Sequence, residues 1–132
     1  MKCLDSTFII DLLRNKPKAK QKYDEMDKEL VVTTIINLYE LMSGVYLTRD
    51  KNYEKHIGVL NEFLRNMCIL QLSLLSVEKA SKINGELSSE GKKIDDLDIL
   101  TAGICLSNGC DVIVTENVKH FSRIKGLKVE GY

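Results

Sequence analysis

The feature that most constrains this chain is a set of short, uninterrupted apolar runs lying between longer stretches of helical periodicity. Leu30-Val31-Val32-Thr33 and Val112-Ile113-Val114-Thr115 are the clearest of them, and Lys2 to Leu4 is a third. Their β-branched side chains are stiff at χ1 and suit a pleated surface. A strand with one wet face alternates apolar and polar residues. These runs do not alternate, so each expects cover on both faces. Cys68 to Leu72 and Leu127 to Val129 read as two further short strands.

The stretches between them repeat at the spacing of a helix. Phe8, Ile9, Leu12 and Leu13 form one stripe, which stops near Asn15-Lys16-Pro17, the Pro marking a break before a charged helix over Ala19 to Asp27. Further helices are expected over Ile35 to Tyr46, Asn52 to Asn66, Val77 to Leu87 and Ile99 to Leu106. The last ends at Asn108-Gly109, a pair suited to a helix C-terminus. Strands alternating with helices predict an α/β fold of three layers, α/β/α, with a short parallel sheet flanked by helices. A length of 132 residues is one domain's worth, so residues 1–132 are expected to form a single unit.

Composition narrows the function only a little. Lys+Arg and Asp+Glu stand at 19 each, which argues against a protein that coats nucleic acid through a broad basic face. An acidic centre can cancel local basic patches in the sum, so a nuclease is not excluded. The opening Met1-Lys2-Cys3-Leu4-Asp5 has no basic segment followed by an apolar one, and no apolar run approaches the ~20 residues of a membrane helix. A cytoplasmic protein without a membrane span is expected. Cys3, Cys68, Cys105 and Cys110 lie far apart in sequence, without a CxxC or a nearby His pair. They read as reduced, buried, small hydrophobic residues rather than a zinc site or a disulfide framework.

In a parallel sheet the working surface lies at the carboxyl ends of the strands. Asp5 directly follows the first strand, and Thr115-Glu116-Asn117 closes the clearest one, so both reach the same edge. Glu40 interrupts an apolar helix, with Ile36 and Gly44 one turn away on either side. Asp98 stands at the start of the apolar helix through Leu106, and Asp95 precedes it by three residues. A divalent cation such as Mg²⁺ or Mn²⁺ needs few such oxygen ligands and keeps several waters. Carboxylates gathered without a cation repel one another, so their convergence is informative. Thr115 is placed to orient a ligand through its hydroxyl. Each residue also has a plainer reading. Asp5 suits a helix cap, Asp95, Asp96 and Asp98 suit a first helical turn, and Asn117 suits a turn. His56 reads as solvated, and His120 as a packing or surface residue.

These residues resemble a PIN domain, in particular the VapC-like toxins of prokaryotic toxin–antitoxin pairs. The likeness runs through Leu4-Asp5-Ser6-Thr7 into Ile10-Asp11-Leu12-Leu13, then Tyr39-Glu40-Leu41-Met42-Ser43-Gly44. It continues in Asp98-Ile99-Leu100-Thr101-Ala102-Gly103-Ile104 and Val114-Thr115-Glu116-Asn117, then His120-Phe121 and Ile124-Lys125-Gly126-Leu127. The resemblance implies a PIN-like fold and a Mg²⁺- or Mn²⁺-dependent single-strand endoribonuclease whose catalytic, metal-holding acids are Asp5, Glu40 and Asp98. Ser6 and Thr115 would support them. The family often has a fourth acid where this chain carries Asn117, and Asp95 or Glu116 would have to compensate. Thr101 stands where related sequences usually carry an aliphatic residue. The resemblance further implies a homodimer, an RNA substrate and a small antitoxin partner. Arg14, Lys16, Lys18, Lys92 and Lys93 are candidate contacts to RNA phosphates, each also readable as a solvated cation at a helix end.

Two other classes compete. A receiver-like or phosphatase-like Mg²⁺ pocket would need an acidic pair or a DxD after the first strand, where Asp5 is followed by Ser6 and Thr7. A PIN-like module that binds RNA or a partner without cutting would use the same fold, with Asn117 as the mark of lost chemistry.

Overall fold

A computed structural model describes all residues from Met1 to Tyr132. The strands are β1 (Lys2–Leu4), β2 (Val31–Thr34), β3 (Cys68–Leu70), β4 (Val112–Val114) and β5 (Lys128–Glu130). The helices are α1 (Ser6–Leu13), α2 (Pro17–Glu25), α3 (Ile35–Leu47), α4 (Tyr53–Leu64), α5 (Leu74–Ser89), α6 (Asp96–Ser107) and α7 (Val118–Phe121). The strands form one sheet in the order β3-β2-β1-β4-β5, and every pairing is parallel. Cys3 lies level with both Val32 and Ile113, and Leu4 lies level with Val114.

Two apolar clusters explain the uninterrupted runs. Cys3, Val32 and Ile113 face a cluster with Ala80, Ile83, Ile99, Ala102 and Phe121 of α5, α6 and α7. Their chain neighbours Leu4 and Val114 face the other cluster, with Phe8, Ile9, Leu41, Leu60 and Leu64 of α1, α3 and α4. Successive strand residues thus enter opposite cores, and both must be apolar. The expected three layers are present.

Most boundaries fall within a few residues of the expected ones, and the larger differences have local causes. The fifth helix begins at Leu74 rather than Val77, because Ser73 and Ser76 bond each other's backbone in a capping box. Leu74 and Leu75 are exposed, so apolar spacing gives no sign of that first turn. The sixth helix begins at Asp96, three residues before the apolar run, with the Asp95 side chain accepting from the Leu97 N–H. The second begins at Pro17, whose fixed φ suits a first helical position. The last strand is shifted to Lys128–Glu130, and the four-residue α7 was not anticipated. Cys68 is a correction. It is exposed because β3 is an edge strand, whereas Cys3, Cys105 and Cys110 are buried. No helix is long and apolar enough to cross a membrane.

Candidate active site

The order of the sheet places its switch point at β1. The chain runs from β1 outward through β2 to β3, and then returns to the opposite side of β1 as β4. Asp5 and Thr115 leave β1 and β4 at this point, where parallel sheets open a crevice. Hydrogen bonds fix the end of β1. The Leu4 carbonyl accepts from Thr33 Oγ1 at 2.8 Å and from the buried Asn37 amide at 3.3 Å. Asn37 Oδ1 in turn accepts from the Ser6 N–H at 3.3 Å.

Asp5 is 2% exposed. It precedes α1, but its side chain makes no capping bond, so the plainer reading of this residue is set aside. Instead its Oδ2 accepts from Thr115 Oγ1 at 2.6 Å and from Thr7 Oγ1 at 2.8 Å. Both hydroxyls spend their single proton on Asp5, and each accepts a backbone N–H: Thr7 from Glu116 and Thr115 from Asn117. The Asp5 Oδ1 has no protein partner. Thr7, to which the sequence reading assigned no role, is thus a second hydroxyl on Asp5. It lies two residues after Asp5, where the first turn of α1 brings its hydroxyl back to the strand end.

Glu40 of α3 follows the same pattern, whereas Asp98 of α6 accepts no hydrogen bond. Ser6 Oγ donates to Glu40 Oε1 at 3.2 Å. His120 Nδ1 lies 3.4 Å from Asp98 Oδ2, within ion-pair distance but without hydrogen-bond geometry. Each acid thus has one oxygen against the protein and one without a protein partner. Burial pushes Glu40 up to about 7, the Asp5 charge adds to this, Ser6 offsets part of it, and Asp98 and Asp95 add further. Asp98 is raised by burial first and by Asp5 second, with the His120 contact pulling it back. Glu40 and Asp98 therefore sense the charges of Asp5 and Asp95, although these acids come from three separate stretches of chain.

The other candidates are placed as follows. Asp95 caps α6, with Oδ1 accepting from the Leu97 N–H at 2.9 Å, and Oδ2 has no protein partner. Asp96 points outward beside Lys93 at 3.8 Å. Glu116 is exposed, and Asn117 occupies the cap position of α7 without a side-chain capping bond. The Thr101 hydroxyl is buried without a partner. Lys16 is held 2.7 Å from the buried Asp11, whose other oxygen accepts from Tyr132 at 3.0 Å. Lys92 stands 4.0 Å from Glu90, while Arg14 and Lys18 are exposed. His56 meets Asp50 at 2.7 Å, away from the acids, rather than standing free in solvent.

This donor set fits a hard divalent cation. The unpartnered atoms are carboxylate oxygens, their mutual repulsion is what a cation relieves, and no protein cation is hydrogen-bonded to them. No group of three or more His, Cys, Asp or Glu side chains is placed to hold a metal ion by itself. Such an open set suits an ion that keeps waters and accepts substrate oxygens.

Without metal the repulsion has a cost that depends on pH. Glu40 holds its proton up to about 7 in the folded chain, against 4.5 as its ordinary value. The folded state therefore binds the extra proton in that window, and stability falls as pH rises through it. Glu40 is only half-buried, so screening trims the loss to ~1–2 kcal/mol. Urea unfolding in EDTA should give a higher midpoint at pH 5 than at pH 8, with Glu40→Gln removing much of the difference. A wild-type profile no steeper than that of Glu40→Gln would contradict the charge crowding.

Asp5, Glu40 and Asp98 thus gather beside the switch point of a parallel sheet, each with an oxygen that has no protein partner. The family model described as PIN domain matches residues 2–127, and the chain belongs to the PIN-domain family. It is 25% identical to the tRNA(fMet)-specific endonuclease VapC of Shigella flexneri, over 98% of this chain and 96% of that protein. It is 26% identical to the protein of the same name from Salmonella typhimurium, over the same shares. Among solved structures it superposes on the DNA-bound VapBC of Salmonella typhimurium with a TM-score of 0.86, at 25% identity over 98% of this chain and 96% of that one. VapBC-1 of nontypeable Haemophilus influenzae gives 0.84 at 26% identity, with the same coverage.

Proposed function

We propose that this chain is a Mg²⁺- or Mn²⁺-dependent single-strand endoribonuclease and the toxin of a toxin–antitoxin pair. The observation that carries the reading is the convergence of Asp5, Glu40 and Asp98 from the end of β1, α3 and α6: Asp5 and Glu40 each have one oxygen hydrogen-bonded, Asp98 has one beside His120, and each has one free. The likeness to proteins named VapC over nearly the whole chain supports the same reading. A bound cation would polarise the phosphate and lower the pKa of an attacking water. The residues of the chain supply the rest. Asp5, Glu40 and Asp98 would hold the cation, while Ser6 and Thr115 fix the rotamers of Glu40 and Asp5, and Thr7 secures Asp5 from a second side. Asp95, Glu116 and Asn117 are the residues placed to complete the set through water. Arg14, Lys16, Lys92 and Lys93 are the proposed backbone contacts, Lys16 after release from Asp11.

The same reading assigns a homodimer and a small antitoxin. The groove between α1, α3 and α4 has a volume of about 390 Å³ and is lined by Ile10, Leu13, Leu41, Gly44, Val45 and Leu60. Gly44 lies one turn beyond Glu40, and a Cβ there would meet nothing within 4 Å. An apolar tail seated in this groove would reach the acids. The exposed Leu74 and Leu75 are apolar surface that a second copy would cover.

Induced expression in a heterologous bacterium tests the toxin reading. Growth should stop within a few generations, discrete new RNA ends should appear on sequencing, and both effects should vanish with Asp98→Asn. Growth arrest that persists unchanged in Asp98→Asn would favour a protein that binds without cutting.

A further inference from the structure

We propose that His120 is the positioning residue of Asp98: its Nδ1–H holds Asp98 Oδ2 and so turns Oδ1 toward the shared acidic centre. The inference rests on the metal-dependent reading and deepens it. The argument begins with an asymmetry among the acids. Two threonine hydroxyls secure Asp5 and a serine hydroxyl secures Glu40, but no hydroxyl, amide or backbone N–H donates to Asp98. The nearest donor is His120 Nδ1, 3.4 Å from Oδ2.

That nitrogen is itself fully buried and has no hydrogen-bond partner, although the His120 side chain as a whole is 43% exposed. The ring therefore turns its polar Nδ1 inward and leaves its far side to solvent. A buried donor without an acceptor is costly, and so is a buried carboxylate without a donor. The two unsatisfied groups face each other a few tenths of an ångström beyond ordinary bonding distance, and a small ring rotation joins them. Such contacts often tighten only when a site is loaded.

The fold holds the ring in place. His120 precedes Phe121, which is wholly buried in the cluster beneath α6, and α7 starts where the Asn117 N–H donates to Thr115 Oγ1 at 2.9 Å. Thr115 also holds Asp5, so the tether of the ring and the tether of Asp5 share one hydroxyl. A histidine that serves only to pack would have no reason to bury Nδ1 against a carboxylate.

The test is calorimetric titration of Mn²⁺ into wild type, His120→Ala, His120→Phe, His120→Asn and Asp98→Asn. Melting temperatures in EDTA show that each variant is folded. Phe keeps the ring without its donor, and Asn supplies an amide N–H close to the position of Nδ1. His120→Ala and His120→Phe should weaken Mn²⁺ binding about 10- to 100-fold, the usual cost of losing a group that orients a metal ligand. His120→Asn should recover most of it, and removing the donor from Asp98→Asn should cost nothing further. Wild-type affinity in both His120→Ala and His120→Phe overturns the inference, as does loss in those two without recovery in His120→Asn. Failure of the wild type itself to bind Mn²⁺ is a different result and overturns the parent reading.

Discussion

Asp5→Asn is expected to lower RNA cleavage at least ~100-fold while leaving the metal-free protein no less stable than wild type. The amide cannot match what the carboxylate does. If its oxygen keeps the bonds from Thr7 and Thr115, its NH₂ takes the place of the free Oδ1 and presents a donor where a cation is to be held. If it turns over, the NH₂ meets two hydroxyls that already donate, and both must reorient. The charge is lost in either case, and with it a source of repulsion on Glu40 and Asp98. Activity and stability should therefore move apart, read by single-turnover cleavage rates and by urea midpoints in EDTA. A variant that loses both together would indicate a structural acid and contradict the assignment.

Gly103→Ala carries the largest expected effect on stability. A Cβ at Gly103 would lie 2.7 Å from the Ala80 Cβ and 2.7 Å from the Ser76 carbonyl, both on α5. Neither neighbour can rotate away, so α5 and α6 would have to part along their contact. Overpacking of this kind costs ~3 kcal/mol, a fall of about 10 °C in Tm for a domain of this size. Because α6 also carries Asp98, cleavage should fall as well, even below the new melting point. Thermal unfolding followed by circular dichroism measures the first effect. An unchanged Tm would mean that the two helices do not approach as closely as described.

The parts of this protein legible in the sequence are those governed by local pattern. Leu30 to Thr33 and Val112 to Thr115 read as doubly covered strands, and Val32, Ile113 and Val114 do enter the two cores, while Leu30 is exposed just before β2. The placing of Asp5 and Thr115 at one edge of the sheet was legible for the same reason, since a strand end fixes where the next residue goes. Glu40 stood out as a charge within an apolar stripe. The residues that escaped depend on distance across the fold. Thr7 acquires its part only when Thr115 arrives from β4, and Asn37 only when β1 ends beside α3. His120 stands far along the chain from Asp98, and no spacing rule joins them. Cys68 read as a core residue because nothing in its own run shows that β3 is an edge. The start of α5 rests on the Ser73–Ser76 capping box, a signal present in the sequence but weaker than the apolar spacing that suggested Val77. Nor does spacing show that Lys16, a candidate phosphate contact, pairs with the buried Asp11 at 2.7 Å.

The most direct test of the central claim is cleavage of a mixed panel of single-stranded RNAs by the purified, antitoxin-free wild-type protein in Mn²⁺, run beside the same reaction in EDTA. The account predicts discrete products with Mn²⁺ and intact RNA with EDTA. Intact RNA in both reactions, from folded protein that binds Mn²⁺, or equal cutting in both, would contradict it.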